Sequence, residues 1–583
     1  MRIECVTIEN WRSVVYSDVS FQDMTVLIGQ NNHGKSNIIS ALLFFFGEIT
    51  CSKMDFNNPK KRIVVEVIFK NLTHEEKTKF KKYLNKENKI KVRKTADLGS
   101  TAEYRGYTQT PKDDWLKEEM AADYKKRDKA KALPLYEDLP EKGVITLEQF
   151  RGAQRKYINQ HKDELEFSYR LESTNFLGYQ NVAQGSFGQC FFIPAVQYAA
   201  EELRPKGSSI FSQLLGNVIN EMSTKNDAYK DTKTRMQKLA NSLNKNASDG
   251  SKNENRPVEL AELETRLANE LKNWKTSIEI EVMPPDVDEI LKLGTSVWIR
   301  DPVKTDIERK GQGLQRAMVF ALLKAWSETL RNQAKSLEQT TSSFIFFEEP
   351  ELYLHPQAQR EFFSSLSHLS TSETQVVIST HSSSFINLSN YRSISIVEKP
   401  NLKAGTIVRQ CQEDLFSDMT EGKKFKLVYW VNPDRGELFF GRKTILLEGH
   451  TDKAIIPFLA KQFTSSYKYD YTLIDCAGKD NMPVYVKLLN KFSLPYIVVY
   501  DKDHQSEKDS NAKRIADQKS ALIESEINKS HGNSVVLVND IEEEIGVTEK
   551  RNKRKPYFAL SQVSKPSYRI SRSLKKKIET IYR

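Results

Sequence analysis

The stretch GQNNHGKSN, residues Gly29 to Asn37, follows the apolar run MTVLI and precedes the apolar run IISALLFFF. Its pattern, Gly29-x-x-x-x-Gly34-Lys35-Ser36, is that of a phosphate-binding loop between a strand and a helix. Glycines allow main-chain N–H groups to turn toward phosphate oxygens, and the N-terminal end of the following helix adds positive charge. The sequence therefore predicts an α/β domain in which this loop binds ATP or GTP.

Individual residues of the loop have expected roles. The ammonium group of Lys35 is expected to reach the β- and γ-phosphates, and the hydroxyl of Ser36 is expected to ligate Mg²⁺. The other loop residues assigned to the nucleotide are Gly29, Asn32, Gly34 and Asn37.

A second segment supplies the acids that such a loop needs. The run SSFIFFEE (342–349) predicts a buried strand that ends in Glu348, a candidate for the Mg²⁺ shell, and Glu349, a candidate to orient and deprotonate water. Two glutamates at a strand end also occur on ordinary surfaces. Three neighbouring features favour the nucleotide site: GQGLQR (311–316) before a helix, LHPQ (354–357), and STHSS (379–383), whose His381 is expected to sense a γ-phosphate.

From about residue 440 the pattern alternates between strands and helices, which predicts a second, parallel sheet. ILLEGHTDK (445–453) places Glu448 and Asp452 at one strand end, and YIVVYDKD (496–503) places Asp501 and Asp503 at another. Four carboxylates at one sheet edge suit Mg²⁺ or Mn²⁺, and two such ions can cleave a phosphodiester. The alternative is that each is a solvated loop acid.

Composition narrows the class of protein. Residues 550–583 contain twelve lysines and arginines and one acid, Glu579, which matches the formal net charge of +11. This concentration favours a DNA or RNA partner, with a solvated lysine-rich surface as the alternative. The five cysteines form no C-x-x-C pair, and there is no signal peptide or long apolar run. We therefore expect a cytoplasmic protein without a zinc ribbon, a disulfide framework or a membrane span.

The remaining regions complete the expected layout of four segments. Residues 1–207 and 278–405 are expected to form the N-terminal ATPase domain, and 440–583 the C-terminal domain with its basic tail. Residues 208–277 show helical spacing and predict an inserted arm for dimerisation, or else ordinary core helices. Residues 72–170 are dense in lysine and glutamate and are expected to be helical and exposed.

The order of these motifs resembles a known family. The phosphate loop, glycine-rich signature, acid pair and Ser/Thr-His segment resemble ABC-type ATPases of the SMC-like DNA-repair branch, although the first acid there is usually aspartate rather than Glu348. The pattern E-G-x-x-D followed by D-x-D resembles the Toprim domain. An ATPase followed by Toprim resembles the OLD (overcoming lysogenization defect) family of nucleases, which includes the nuclease subunits of Gabija anti-phage systems.

The resemblance implies further residues. In IENWRS (8–13), Arg12 would lie near the nucleotide, and Gly313 and Gln315 of the signature would cap ATP bound by a partner subunit. Asp540 and Glu542 in VVLVNDIEEEIG (535–546) would add metal ligands. The alternatives Glu543 and Glu544 stay open. Lys555, or else Lys553, would neutralise charge on the scissile phosphate.

The function implied is an ATP-regulated, divalent-metal-dependent DNA endonuclease or nickase that acts in anti-phage defence. It would work as a dimer or tetramer, alone or with a helicase-like partner. The competing interpretation is a DNA-organising or repair ATPase that does not cut. A topoisomerase would need a reactive tyrosine in a separate domain, and the cysteine spacing excludes the zinc ribbon of a primase.

Overall fold

The computed structural model divides the chain into two compact units, which are described separately. The first unit contains residues 1–195, 339–352 and 356–583, and the second contains 196–338 and 353–355. The structure describes residues 1–140, 142–161, 164–178, 186–195, 209–246, 253, 256–271, 278–282, 287–315, 317–319, 321–322, 324–325, 342–370, 374–415, 433–465, 467, 471–547 and 555–583.

Strands and helices occur throughout the described ranges. The strands are β1 (Arg2–Trp11), β2 (Val14–Ser20), β3 (Met24–Ile28), β4 (Ile63–Lys70), β5 (Ile90–Ala96), β6 (Glu103–Pro111), β7 (Phe167–Leu171), β8 (Gln189–Ile193), β9 (Ile299–Asp301), β10 (Val303–Thr305), β11 (Ser343–Glu348), β12 (Thr374–Thr380), β13 (Ile394–Glu398), β14 (Ile407–Gln410), β15 (Lys443–Leu447), β16 (Tyr471–Asp475), β17 (Tyr496–Asp501) and β18 (Gly532–Leu537). The α-helices are α1 (Lys35–Phe46), α2 (His74–Lys79), α3 (Ala121–Tyr124), α4 (Arg127–Ala130), α5 (Leu147–Gln160), α6 (Ile210–Lys225), α7 (Asp227–Leu243), α8 (Val258–Glu270), α9 (Val287–Leu293), α10 (Pro356–Leu369), α11 (His450–Phe463), α12 (Met482–Lys491), α13 (Ser510–Glu526), α14 (Ile541–Glu544), α15 (Lys555–Val563) and α16 (Arg572–Ile581). No helix within the described ranges is long and apolar enough to cross a membrane.

The first sheet of the first unit is antiparallel, with the order β2-β1-β4-β5-β6-β7. Three of its strands lie in residues 72–170, so the expectation of a helical region was wrong for 90–111 and 167–171. In β5 the buried residues alternate with charged ones, as Ile90, Val92 and Ala96 show. A period of two among many lysines is a strand pattern, and the charged residues concealed it. Short helices do fill 113–160, but they bury a small core of their own around Leu116, Leu135 and Phe150.

The second sheet positions the nucleotide loop. Its order is β14-β13-β3-β12-β11-β8, and every pair is parallel except β13 with β14. Parallel strands end at the same edge, so the ends of β3, β11 and β12 bring together the loop, the acid pair and the His381 segment. Helix α1 buries nearly all of its side chains, from Ile38 to Phe46, because it packs against apolar residues of both sheets.

The third sheet has four parallel strands in the order β16-β15-β17-β18. The interior of β15 and β17 is completely buried, as parallel strands covered on both faces require. The basic C-terminal region is not a loose tail, because Ala559 and Val563 of α15 and Leu574 and Ile578 of α16 are part of the core of this domain. The predicted fold class, an α/β ATPase domain followed by an α/β domain with a parallel sheet, is confirmed.

The second unit contains helices α6 to α9 and the hairpin of β9 and β10. Its described core is small and centres on Ile219, Tyr229 and Val287. The predicted helices at 208–277 are present, although parts of 244–257 and 272–277 lie outside the described residues. The helix expected at the GQGLQR segment is observed for part of 312–325, and residues 326–341 lie outside the described residues. The role of the insertion as a dimerisation arm stays a prediction.

Candidate functional site

The geometry of the nucleotide loop requires glycine at two positions. Gly34, which precedes α1, has a φ of 104°, and a Cβ there would lie 2.2 Å from Oγ1 of Thr406. Gly29 has a φ of 147°, and a Cβ there would lie 2.1 Å from the main-chain oxygen of Val397. Both positions combine left-handed backbone with close approach of another segment, so a side chain would distort the loop.

Lys35 and His381 meet at the centre of this site. The Lys35 ammonium is buried, donates to the carbonyl oxygens of Gly29 (2.9 Å) and Gln30 (3.2 Å), and lies 2.7 Å from Nε2 of His381. Burial lowers the pKa of Lys35 to about 8, and burial together with the Lys35 charge lowers the pKa of His381. The structure thus brings the two residues together as the sequence predicts, and their contact with phosphate stays a prediction.

The acids after β11 surround the same lysine. Glu349 has a φ of 43°, and its N–H donates to the Ser379 carbonyl at 2.7 Å, which directs its Oε1 to within 3.6 Å of His381 Nε2. Glu351 accepts the His381 main-chain N–H at 2.6 Å, and burial raises the pKa of Glu351. The negative charges of Glu349, Glu351 and Glu348 all act on Lys35. Sequence reasoning missed Glu351, although the segment EEPE contains this third acid two residues after the pair.

A threonine from a distant segment holds the loop from the other side. Oγ1 of the fully buried Thr406 donates to the His33 carbonyl at 2.8 Å and lies 2.7 Å from Oγ of Ser13. The Ser13 hydroxyl in turn accepts from the side-chain amide of Asn37 at 2.6 Å. Thr406 is separated from His33 by 373 positions, and no local motif marks it, so sequence reasoning had no signal for it.

The other predicted nucleotide residues are placed as follows. Ser36 is exposed on the first turn of α1, and Asn32 is exposed in the loop with a φ of 63°. The Arg12 guanidinium is paired with Asp55, with Nε and Oδ1 2.8 Å apart. Gly313 and Gln315 belong to the second unit, where Gln315 is buried and donates to the Lys310 carbonyl at 2.8 Å. Arg316 of the signature lies outside the described residues.

A second site lies at the edge where the strands of the third sheet end. The Glu448 carboxylate, just after β15, accepts the main-chain N–H of Asp501 at 3.1 Å, and Asp452 accepts that of Gly449 at 3.0 Å. A cavity of about 540 Å³ opens at this edge. The acids lining it are Glu448, Asp452, Asp475, Asp501, Asp503, Glu507, Asp540 and Glu542. All six carboxylates predicted to bind metal in this domain therefore face one cavity.

The electrostatics of this cavity favour a cation. Burial raises the pKa of Asp501 well above its ordinary value, and the charges of Asp452 and Glu448 raise it further. Burial also raises the pKa of Asp452 and of Glu448. One oxygen of Asp452 and one of Asp501, Oδ1 in each case, are buried and have no hydrogen-bond partner among the residues that the structure describes. Like charges with unsatisfied oxygens in a poorly solvated site suit a hard divalent ion.

In the described part of the chain, the acids of the cavity are not arranged as a complete set of metal ligands. Among the residues that the structure describes, no group of three or more His, Cys, Asp or Glu side chains is arranged to hold an ion. The fit of a divalent metal therefore rests on the acid-lined cavity and on the two unpartnered oxygens.

Two lysines that sequence reasoning missed lie among these acids. The buried Lys479 ammonium donates to the Asp501 carbonyl oxygen at 2.5 Å and lies 3.7 Å from Oδ2 of Asp503. Lys508 lines the cavity, and its ammonium lies 2.8 Å from Oδ1 of Asp503. No spacing in the sequence sets either lysine apart. The predicted Lys555 is the first residue of α15, but its side chain and the whole of Lys553 lie outside the described residues.

The structure separates the four acids that follow β18. Asp540 and Glu542 line the cavity, and Asp540 begins α14 by accepting the Glu543 N–H at 2.8 Å. Glu543 accepts from the Asn539 side chain at 2.9 Å, and Glu544 pairs with Lys577. This arrangement favours Asp540 and Glu542 over Glu543 and Glu544, and the choice of ligand stays a prediction.

Fold and sites together define a nucleotide-binding ATPase domain joined to an α/β domain with an acidic cavity at the ends of its parallel strands. A family model described as "AAA ATPase domain" matches residues 1–386, which is more than half of the chain. A second model, described as "Overcoming lysogenization defect protein-like, TOPRIM domain", matches residues 439–503. The chain belongs to this AAA ATPase family, and its C-terminal domain is similar to the TOPRIM domain of OLD proteins.

Three curated relatives are similar to the chain. Old nuclease of Escherichia phage P2 is 24% identical over 472 residues, which cover 79% of this chain and 70% of that protein. OLD nuclease of Thermus scotoductus is 28% identical over 195 residues, covering 33% of this chain and 35% of that protein. Endonuclease GajA of Bacillus cereus is 26% identical over 198 residues, covering 30% of this chain and 28% of that protein.

Proposed function

We propose that this protein is a divalent-metal-dependent DNA endonuclease or nickase whose cleavage is regulated by ATP. One observation above all supports the proposal: buried, unpartnered carboxylate oxygens of Asp452 and Asp501 lie in an acid-lined cavity at the strand ends of the TOPRIM domain. The three similar proteins are all named as nucleases, which supports the same reaction.

The residues of the cavity have distinct proposed roles. Glu448, Asp452, Asp501 and Asp503 would hold Mg²⁺ or Mn²⁺, with Asp540 and Glu542 as further ligands. Bound ions of this kind activate water and stabilise the leaving 3′-oxygen of a phosphodiester. Lys508 lies within the cavity next to Asp503, which makes it a candidate to contact the substrate phosphate alongside Lys555.

The ATPase domain would supply control. Lys35 and Ser36 would hold the phosphates and Mg²⁺ of ATP, with Glu348 in the metal shell. Glu349, 3.6 Å from His381, would orient water at the γ-phosphate. We further propose that Gly313 and Gln315 cap the nucleotide of a second subunit, so that the working form is a dimer or tetramer.

The biological setting proposed is anti-phage defence, because the order of motifs resembles the OLD family, which includes the nuclease subunits of Gabija anti-phage systems. A helicase-like protein is a candidate partner. The domain limits proposed are 1–207 and 278–405 for the ATPase, 208–277 for the inserted arm and 440–583 for the TOPRIM domain with its basic C-terminal region.

A plasmid-nicking assay with purified protein tests the proposal. Supercoiled DNA is incubated with Mg²⁺ or Mn²⁺, with and without ATP, and open-circle product is measured. We expect nicking that requires the metal and is lost in Asp501→Ala, while ATP binding is retained. Asp480→Ala is the matched control, because Asp480 lies in the same domain, is exposed and, among the described residues, pairs only with Lys519 at 2.7 Å. Full cleavage by Asp501→Ala would refute the site.

One observation favours a second candidate, an ATPase that organises or repairs DNA without cutting it. The acids are not grouped as a finished metal site in the described part of the chain. This candidate predicts ATP hydrolysis and DNA binding without nicking in either metal, so the same assay decides between the two.

A further inference from the structure

The C-terminal helix α16 has two chemically opposite faces. Leu574, Ile578 and Ile581 are completely buried, whereas Arg572, Lys575 and Lys576 are exposed. Positions i, i+3 and i+4 lie on one side of a helix, so these three cations form a single basic face. Within the described residues, their side chains make no ion pair or hydrogen bond.

Helix α16 contacts the TOPRIM sheet at two points. The Tyr471 hydroxyl, at the first residue of β16, donates to the main-chain oxygen of Tyr582, just after α16, at 2.8 Å. Lys577 pairs with Glu544, which follows the end of β18. The C-terminal end of α16 therefore lies at the edge where the strands begin, and the helix runs back toward the edge where they end.

The ion pair between Lys577 and Glu544 relates the basic face to the acidic cavity. Arg572 precedes Lys577 by five residues, about 7.5 Å along the helix. Glu544 lies only two residues after Glu542, a cavity residue. A cavity lined by carboxylates repels a nucleic-acid backbone, so a polyanionic substrate needs cations beside the cavity to bring it in.

We infer that the α16 basic face, formed by Arg572, Lys575 and Lys576, binds the phosphate backbone of duplex DNA beside the TOPRIM cavity. The inference rests on the proposed nuclease function and identifies the surface that holds the substrate. Three exposed cations that pair with none of the described residues can replace counterions on phosphates, which gives binding that depends on salt and not on base sequence.

The test measures binding of the full-length protein to a fluorescein-labelled 30-base-pair duplex by anisotropy. Ca²⁺ replaces Mg²⁺ to limit cleavage, and salt is varied. The triple variant Arg572→Gln, Lys575→Gln, Lys576→Gln should bind at least tenfold more weakly, and its slope of log K against log salt should be shallower by about 2 to 3. The charge-conserving variant Arg572→Lys, Lys575→Arg, Lys576→Arg should bind as the wild type does, which excludes loss of folding as the cause.

A matched control removes the same charge from another helix. Lys230, Lys233 and Lys238 are exposed on α7 in the second unit, and their triple glutamine variant should change the affinity less than twofold. Equal weakening in the control, unchanged binding by the α16 variant, or tighter binding of a duplex RNA of the same length would overturn the inference.

Nicking of plasmid by the wild type, measured in parallel, separates the two proposals. Wild-type nicking together with unaltered binding by the α16 triple variant would refute the basic face alone. Absence of wild-type nicking together with weakened binding by that variant would refute the nuclease function and leave the surface supported.

Discussion

The Glu448 carboxylate accepts the main-chain N–H of Asp501 at 3.1 Å, across two neighbouring strands that are 53 residues apart in sequence. Strands β15 and β17 are parallel, with Leu447 opposite Val499, so Glu448, which follows β15, and Asp501, the last residue of β17, reach the same edge. The hydrogen bond orients Glu448, while one oxygen of Asp501 has no partner within the described part of the chain. This pair is therefore the structural centre of the proposed metal site.

Replacing Glu448 by Gln should remove stabilisation by metal. A ligand that binds only the folded state adds about 2.7 kcal/mol to the free energy of unfolding at a hundredfold excess over its Kd. We expect Mn²⁺ to raise the Tm of the wild type and to leave that of Glu448→Gln nearly unchanged. Differential scanning fluorimetry with and without EDTA measures this, and Asp480→Asn serves as the control. An equal Mn²⁺ shift in Glu448→Gln would contradict the assignment.

Replacing Gly34 by Ala should abolish nucleotide binding. The added methyl group would lie 2.2 Å from Thr406 Oγ1 in a backbone of φ 104°, so the loop has to distort. We expect the affinity for a fluorescent ATP analogue to fall at least tenfold. Gly99→Ala is the matched control, since Gly99 also has a positive φ, 82°, but its Cβ would meet no atom within 4 Å. Equal losses in both variants would show that strain alone is responsible.

Replacing Thr406 by Val keeps the shape of the side chain but removes its hydroxyl. The partly buried His33 carbonyl and the Ser13 hydroxyl each lose a partner, which should cost about 1–3 kcal/mol of folding free energy and weaken ATP binding. Urea denaturation and nucleotide titration measure the two effects. Thr580→Val, on an exposed turn of α16 where the hydroxyl bonds only the Lys576 carbonyl, should change stability by less than about 0.5 kcal/mol.

The burial of Lys94 predicts that the free energy of unfolding depends on pH. Its buried ammonium, which donates to the Phe44 carbonyl, has a pKa lowered by burial from 10.5 to about 8. The unfolded chain therefore binds this proton more tightly than the folded protein does between these values. The cost of the buried charge is greatest below pH 8 and disappears as pH rises toward 10.5.

The Lys94→Met variant isolates this effect. The stability of the wild type relative to Lys94→Met should rise between pH 8 and pH 10, as measured by urea midpoints at several pH values. A difference that stays constant over this range would show that Lys94 does not titrate as its burial requires.

Several features of the sites were predicted from the sequence because their residues are close neighbours in the chain. The loop from Gly29 to Ser36 and the pairs Glu348-Glu349 and Asp501-Asp503 each combine a strand end with a local spacing. Such spacing reflects backbone geometry over a few residues, which the chain determines locally. The convergence of the acids on one edge of the sheet was also predicted from the sequence, because alternating strands and helices imply a parallel sheet.

The partners that complete each site could not be predicted in this way. Thr406, Glu351, Lys479 and Lys508 carry no motif, and Lys94 lies in a strand whose pattern is masked by charged residues. Their roles depend on which strand neighbours which, and on which side chains the packing buries. Neither the order of the strands nor the burial of a given side chain can be read from a local sequence pattern.

The sequence by itself determined the two chemistries of this protein, a loop shaped for phosphate and carboxylates placed at strand ends. The tertiary structure decided how these groups are supported. Thr406, the residue before β14, donates a hydrogen bond to the nucleotide loop, and a second hydrogen bond joins Glu448 to Asp501. The basic C-terminal region packs onto the core of the TOPRIM domain. The reason is physical. Local spacing sets which groups a segment can present, whereas desolvation and long-range hydrogen bonds arise only when distant segments pack together.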